Sequence, residues 1–166
     1  MAKKTNTYLT FKIEDETFAL NVKNVHRIMD YQACTTVPLC ANYMIGIINF
    51  KKKVLPIINT KIKLGYGHDT FSATAKIIVT ELAHLKEKVF IGLLADTVID
   101  VTDIKDKNIQ VTSSIGNRLR SNYIKGLFQQ QEHFTMILDL EKAFSDDELM
   151  IIRKQSKLSN KLTATV

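Results

Sequence analysis

A pattern that occurs twice governs what this chain can fold into. Tyr43-Met44-Ile45-Gly46-Ile47 returns as Tyr123-Ile124-Lys125-Gly126-Leu127, 80 residues further on, and the same offset lays Val54 on Phe134, Ile57 on Ile137, Ile58 on Leu138 and Asn59 on Asp139. A weaker match at an offset of 73 lays Phe18-Ala19-Leu20 on Ile91-Gly92-Leu93, Val25 on Val98 and Ile28 on Val101. The two offsets differ only by a loop length. Each half therefore reads as an apolar strand, a turn, a second apolar segment and a variable loop, then Tyr-x-x-Gly, a hairpin and a short helix. A chain of 166 residues has room for two very small units of this kind.

Inside the units the residues alternate as strands do. Leu9, Phe11 and Ile13 alternate with Thr10 and Lys12, which predicts a half-buried strand. Lys76 to Val79 and Val89 to Leu94 are apolar, β-branched runs with polar ends, the pattern of a small sandwich or barrel. Gly46 and Gly126 each interrupt such a run, where a missing side chain allows a bulge or tight bend. Pro56 cannot donate to a ladder, so its strand is expected at an edge or with a bulge at that point. Asn59 and Asp139 read as N-caps of short helices. Ser145 and Glu148 form a capping box for a last helix with Leu149, Ile151 and Ile152 as its apolar contacts, and from about Gln155 the tail is expected to fray. The fold class is all-β.

Composition closes off several functions. An apolar fraction of 45% is enough for a core, and the longest near-continuous apolar stretch, Tyr43 to Phe50, is far too short for a membrane-spanning helix. No apolar segment follows the charged start, so the chain is read as cytoplasmic, with no direct membrane insertion. Cys34 and Cys40 match neither a redox nor a zinc spacing and are expected as free thiols. The four histidines, His26, His68, His84 and His133, are scattered and read as surface or turn residues. Leu64-Gly65-Tyr66-Gly67 lacks the lysine of a phosphate-binding loop and reads as a helix C-cap and loop. Asp96 and Asp100 read as turn and capping residues. No Gly-x-Ser-x-Gly elbow occurs, so no catalytic residue, metal or cofactor is assigned. The formal charge of +6 raises the possibility of an anionic partner, but much of the excess lies in Lys51-Lys52-Lys53 and in Arg153, Lys154, Lys157 and Lys161, a tail stretch with no acid of its own. A solvated turn and a solvated tail account for it. A nucleic-acid-binding barrel would need exposed aromatics, yet there is no Trp, and Phe11, Phe18, Phe90 and Phe134 all fall in core patterns. Phe50 alone is placed as a base platform would be, so no nucleic acid is expected.

The order of these segments resembles the CheW family, over about Tyr8 to Phe144. Its members carry Val-x-Glu-Ile, Val-Pro, then Gly-x-x-Asn-x-Arg-Gly followed by Pro and Asp. This chain has Val25-His26-Arg27-Ile28, Val37-Pro38 and Gly46-Ile47-Ile48-Asn49, with Lys51-Lys52, Pro56 and Asn59 after it. Ile91-Gly92-Leu93-Leu94-Ala95-Asp96-Thr97-Val98 is similar to the family's Gly-Leu-x-x-Asp-x-Val segment, and Ile137-Leu138-Asp139-Leu140-Glu141 to its closing strand and helix start. The resemblance implies two intertwined five-stranded SH3-like or OB-like barrels, at about 15–70 and 75–144, with an exchanged N-terminal strand near 7–13 and a C-terminal helix and basic tail over 145–166.

It also implies a non-enzymatic adaptor that couples chemoreceptors to a CheA-type histidine kinase, the alternative being a CheW-like adaptor of another chemosensory output, surface motility or gene regulation. One barrel would dock on the kinase regulatory domain, and a groove near the barrel junction would take the cytoplasmic tip of a receptor. Val25, Arg27, Gly46, Lys51, Lys52 and Ile77 are the expected residues of the partner surfaces. Three departures stand out. Arg27 and Lys51 occupy positions of opposite charge in the family and would repel if they faced each other. Lys52 replaces a glycine, which predicts a different turn if that glycine takes positive φ. Lys51 lacks the planar fork of arginine. Together they point to a partner surface that is more acidic at this contact.

Overall fold

A computed structural model describes residues 4–66, 70–111 and 123–164, with side chains to Lys157. Eleven strands are present among them: β1 (Thr5–Ile13), β2 (Glu16–Asn21), β3 (Val25–Asp30), β4 (Met44–Phe50), β5 (Lys53–Ile58), β6 (Lys76–His84), β7 (Glu87–Ala95), β8 (Thr97–Lys105), β9 (Gln110–Val111), β10 (Ile124–Gln130) and β11 (His133–Leu138). Three helices accompany them: α1 (Thr60–Leu64), α2 (Leu140–Ala143) and α3 (Asp146–Ala164). The strands form a six-stranded sheet in the order β8-β1-β2-β11-β10-β9 and a five-stranded sheet in the order β3-β6-β7-β5-β4.

The repeat becomes a structural equivalence. Met44 pairs with Ile58 and Gly46 with Ile57, while Ile124 pairs with Leu138 and Gly126 with Ile137, so the offset of 80 holds on both strands of both hairpins. The parallel contact of Ile57 with Gly92 is matched by that of Ile137 with Ala19, which keeps the offset of 73 as well. Both sheets therefore run through the same order, with β3, β6, β7, β5 and β4 answering to β8, β1, β2, β11 and β10. The sixth strand, β9, has a counterpart too: Thr35 makes an isolated bridge with Ile47, where Gln110 of β9 pairs with Leu127 in a short ladder.

Sequence order and sheet membership diverge. The hairpin β1–β2 lies in the sheet of β10 and β11, and the hairpin β6–β7 lies in that of β4 and β5. Each half thus gives a whole hairpin to the other, more than the single strand near 7–13, and the sheets draw strands from both sides of the 70–75 division. The exchange buries the central strands on two faces. Leu9, Phe11 and Ile13 join Ile78, Leu82, Ile91 and Leu93 in one core shared by the two sheets, with Leu149 and Ile152 of α3 sealing it. Tyr8 points the other way and packs with Ala19, Phe128 and Ile137. Tyr8 to Phe11 are consequently all buried, where alternation alone predicted a half-buried strand.

Caps fall where the sequence placed them. The Asn59 side chain accepts from the Lys61 and Ile62 amides, the Asp139 side chain from the Lys142 amide, and Gly65 closes α1 in the left-handed region at φ 87°. Ser145 and Glu148 bond reciprocally at 3.0 and 3.1 Å. Gly67 and His68 lie outside the described residues.

Other expectations are corrected. β5 is not an edge strand, because Pro56 precedes the short parallel ladder to β7, which starts at Ile57 and so never calls on the missing amide. Phe134 is 52% exposed rather than in the core. His84 is buried at the foot of α3, not a surface residue. Beyond Gln155 the chain stays helical to Ala164, because α3 is anchored by its cap and by Leu149 and Ile152. Lys61, only 3% exposed, sits at a polar joint: its Nζ lies 2.8 Å from Glu14, 3.1 Å from Asp96 and 2.7 Å from the Thr70 carbonyl, with the Phe71 ring 4.3 Å away. Burial by itself would lower its pKa, but the hydrogen bonds to Glu14 and Asp96 carry it above the ordinary lysine value. Asp96 also accepts the Glu14 amide at 2.7 Å, so its role exceeds that of a turn residue.

Candidate partner-binding groove

β3 is an edge strand, exposed at His26, Arg27, Ile28 and Asp30. It carries a bulge: Val25 pairs with Thr80 and Arg27 with Val79, leaving His26 without a ladder partner. A bulge re-aims a side chain. The His26 ring meets Phe90 edge-on at 5.3 Å and Phe50 at 5.9 Å. The equivalent bulge in β8 falls on Ile99, between Val98 opposite Phe11 and Asp100 opposite Thr10, and leaves Ile99 49% exposed.

Phe50 ends β4 at the start of the turn Lys51-Lys52, whose φ values of 50° and 63° define a two-residue type I′ hairpin. The turn therefore keeps the positive φ that the family's glycine would take, and Lys52 adopts it at a steric cost instead of altering the hairpin. The Asn49 side chain accepts the Lys52 amide at 3.1 Å, and the Lys51 ammonium lies 5.5 Å above the Phe50 ring.

The facing wall comes from β7 and α3. Arg153 pairs with Glu87, Lys157 reaches the same carboxylate at 3.7 Å, and the Arg153 guanidinium lies 3.3 Å from His84 Nδ1. Arg153 and Lys157 are four residues apart and so share one face of the helix. Two of the tail cations, Arg153 and Lys157, thus do have an acid, supplied by β7. Between hairpin and helix runs a groove lined by His26, Phe50, Lys51, Lys53, Val54, Leu55, Glu87, Lys88, Val89, Phe90, Arg153, Ser156 and Lys157. Five cations and one carboxylate line its apolar floor, and one of the five, Lys88, is paired outside the groove with Glu81 at 3.0 Å.

The structure sorts the sequence-predicted residues. Lys51 lines the groove, Lys52 is exposed at the tip of its hairpin, and Arg27 is exposed on β3. Arg27 does not line the groove; His26 is the β3 residue that does. Val25 is half-buried against the shared core. Ile77 is fully buried, in a cluster with Phe50, Leu55 and Val79 that forms the floor from beneath, so it presents no side chain at the surface. Gly46 is buried where a Cβ would stand 2.4 Å from the Thr35 carbonyl oxygen, which makes it a packing residue. The sequence reading missed His26, Phe90, Glu87, Arg153 and Lys157. The i,i+4 spacing behind a capping box was the one available signal, for the last two. Among the described residues no group of three or more His, Cys, Asp or Glu is arranged to hold a metal.

Comparison with known proteins agrees with this architecture. A CheW-like domain model matches residues 7–148. The chain is 33% identical over 140 residues to a probable chemotaxis protein CheW of Rhizobium etli, covering 84% of this chain and 88% of that protein. It is 28% identical, with the same coverage, to the chemotaxis protein CheW of Rhizobium meliloti. The crystal structure of the scaffolding protein TtCheW from Thermoanaerobacter tengcongensis superposes with a TM-score of 0.74 at 23% identity, over 89% of this chain and 92% of that one, and so shares the fold. Two equivalent sheets, the matched domain and the level of identity lead to one conclusion: this chain belongs to the CheW family.

Proposed function

We propose that this protein is a chemotaxis adaptor that joins chemoreceptors to a CheA-type histidine kinase and works by binding alone. The observation that carries the reading is the edge strand β3, with Ile28 40% exposed beside the groove. An open edge supplies backbone donors and acceptors, and a groove with an apolar floor supplies burial; together they suit strand addition and helix docking. One sheet serves the kinase regulatory domain and the groove region serves the receptor tip. Arg27, Lys51 and Lys52 make direct contacts, Val25 borders them, and Gly46 and Ile77 shape the surface from within. Recruitment to receptor arrays runs through these partners. No helix among the described residues is long and apolar enough to cross a membrane. The test is a calorimetric titration of the full chain against the kinase regulatory domain and a receptor cytoplasmic fragment from the same source. Saturable binding to both supports the adaptor reading; a folded protein that binds neither overturns it.

A further inference from the structure

We propose that α3 converts the groove into a site for an acidic segment of a partner protein with an apolar anchor, gripped by Lys51 and Lys53 on one wall and Arg153 and Lys157 on the other. The proposal rests on the adaptor reading and names the chemistry of one of its contacts. Arg153, Ser156 and Lys157, the helix wall, lie beyond residue 148, where the matched domain ends.

Charge and shape select the occupant. Glu87 is the only acid in the lining and is already engaged by Arg153 and Lys157. Lys51 and Lys53 make no ion pair among the described residues, and both are exposed. Carboxylates on the incoming segment would complete the site. The floor of Leu55, Val89, Phe50 and the half-buried Phe90 accepts an apolar side chain between the cations. Single-stranded nucleic acid fits less well, because bases need an open aromatic face. Phe50 is only 9% exposed, with Lys51 over its ring, and both Phe50 and Phe90 are met by His26. A flat anionic membrane would not reach apolar atoms recessed between a hairpin and a helix.

The experiment uses the full chain with three changes: K53E alone, K53E/K157E, and K107E, in the turn between β8 and β9, as a control matched in charge to K53E. Each is titrated at low and moderate salt against the kinase regulatory domain and the receptor fragment. K53E/K157E is expected to bind the receptor fragment about tenfold more weakly, with a shallower salt dependence, and the kinase regulatory domain as the parent does, while K107E matches the parent on both. K53E changes β5 and no residue of α3, and keeps the test valid if the double change loosens the helix; a loss of about threefold is expected from it. If the parent binds but both groove variants stay within twofold with unaltered salt dependence, the groove is not the site and the adaptor reading survives. If the parent binds neither partner, both readings fall. Groove-dependent binding of a labelled oligothymidylate or of phosphatidylserine vesicles, with no effect on the protein partners, overturns the assignment to an acidic protein segment.

Discussion

Replacing Lys61 by Met tests how the two exchanged halves are fastened. Its ammonium bridges Glu14, in the β1–β2 turn, and Asp96, between β7 and β8, from a position on α1. Each charge pair near 3 Å carries about 5 kcal/mol of attraction at an effective dielectric of roughly 20, opposed by several kcal/mol for taking the ammonium out of water. Methionine fills similar space but removes the charge, and leaves two carboxylates facing each other. Breaking a buried pair costs about 3–5 kcal/mol. The Glu14 and Asp96 side chains keep 30% and 24% of their exposure, so water relieves part of the loss and the low end, about 3 kcal/mol, is expected. Urea unfolding at neutral pH, compared at equal m-value, measures it. The double variant K61M/D96N should recover at least about 1 kcal/mol relative to additivity, since one stranded charge is gone. A single-variant loss under about 1 kcal/mol, or strict additivity, would refute the account of this joint.

Gly46→Ala places a Cβ 2.4 Å from a backbone oxygen and disrupts the reciprocal 2.9 Å bonds of Thr35 and Ile47; a loss of about 2–3 kcal/mol is expected in thermal or urea unfolding. Gly126→Ala should cost less, because its Cβ would meet Ile109 Cγ2 at 2.8 Å and the Gln110 carbonyl oxygen at 2.9 Å, a milder clash with backbone than the 2.4 Å at Gly46. Lys52→Gly should stabilise the protein by about 1 kcal/mol, because φ 63° strains any residue with a Cβ, and equal or lower stability would contradict the type I′ turn. Burial, then the nearby Glu148 carboxylate, pushes the Tyr43 phenol up to about 12. The folded state therefore holds this proton more tightly than the unfolded chain. The stabilisation is complete below pH ~10 and is lost as pH rises towards 12, by about 2 kcal/mol. Tyr43→Phe should flatten that stretch of a stability-against-pH curve, and an unchanged slope would count against it.

The repeat was legible because it consists of local signals. Tyr-x-x-Gly, the Asn59 and Asp139 caps and the Ser145–Glu148 box each act within a few residues, and each recurs in the structure at its expected position. The exchange of hairpins was not legible, because a strand's alternation states which face is apolar but not which sheet receives it. The same limit explains Pro56, whose tolerance depends on where a neighbouring ladder begins. The candidate site divides along the same line. Motif positions picked out Arg27, Lys51 and Lys52, of which Lys51 lines the groove and the other two are exposed outside its lining, whereas Ile77 proved to be core, since a residue in a central strand is covered on both faces.

What the sequence by itself determined is a doubled all-β unit with its turns, caps and capping box, since these follow from side-chain spacing and backbone preference over short stretches. The tertiary structure alone decided which hairpin joins which sheet, that Lys61 is buried between Glu14 and Asp96, and that His26, Phe50, Phe90, Arg153 and Lys157 share one groove. Those residues come from β3, β4, β7 and α3, as much as 131 positions apart between His26 and Lys157, and only close packing of the exchanged halves brings them within reach of one another.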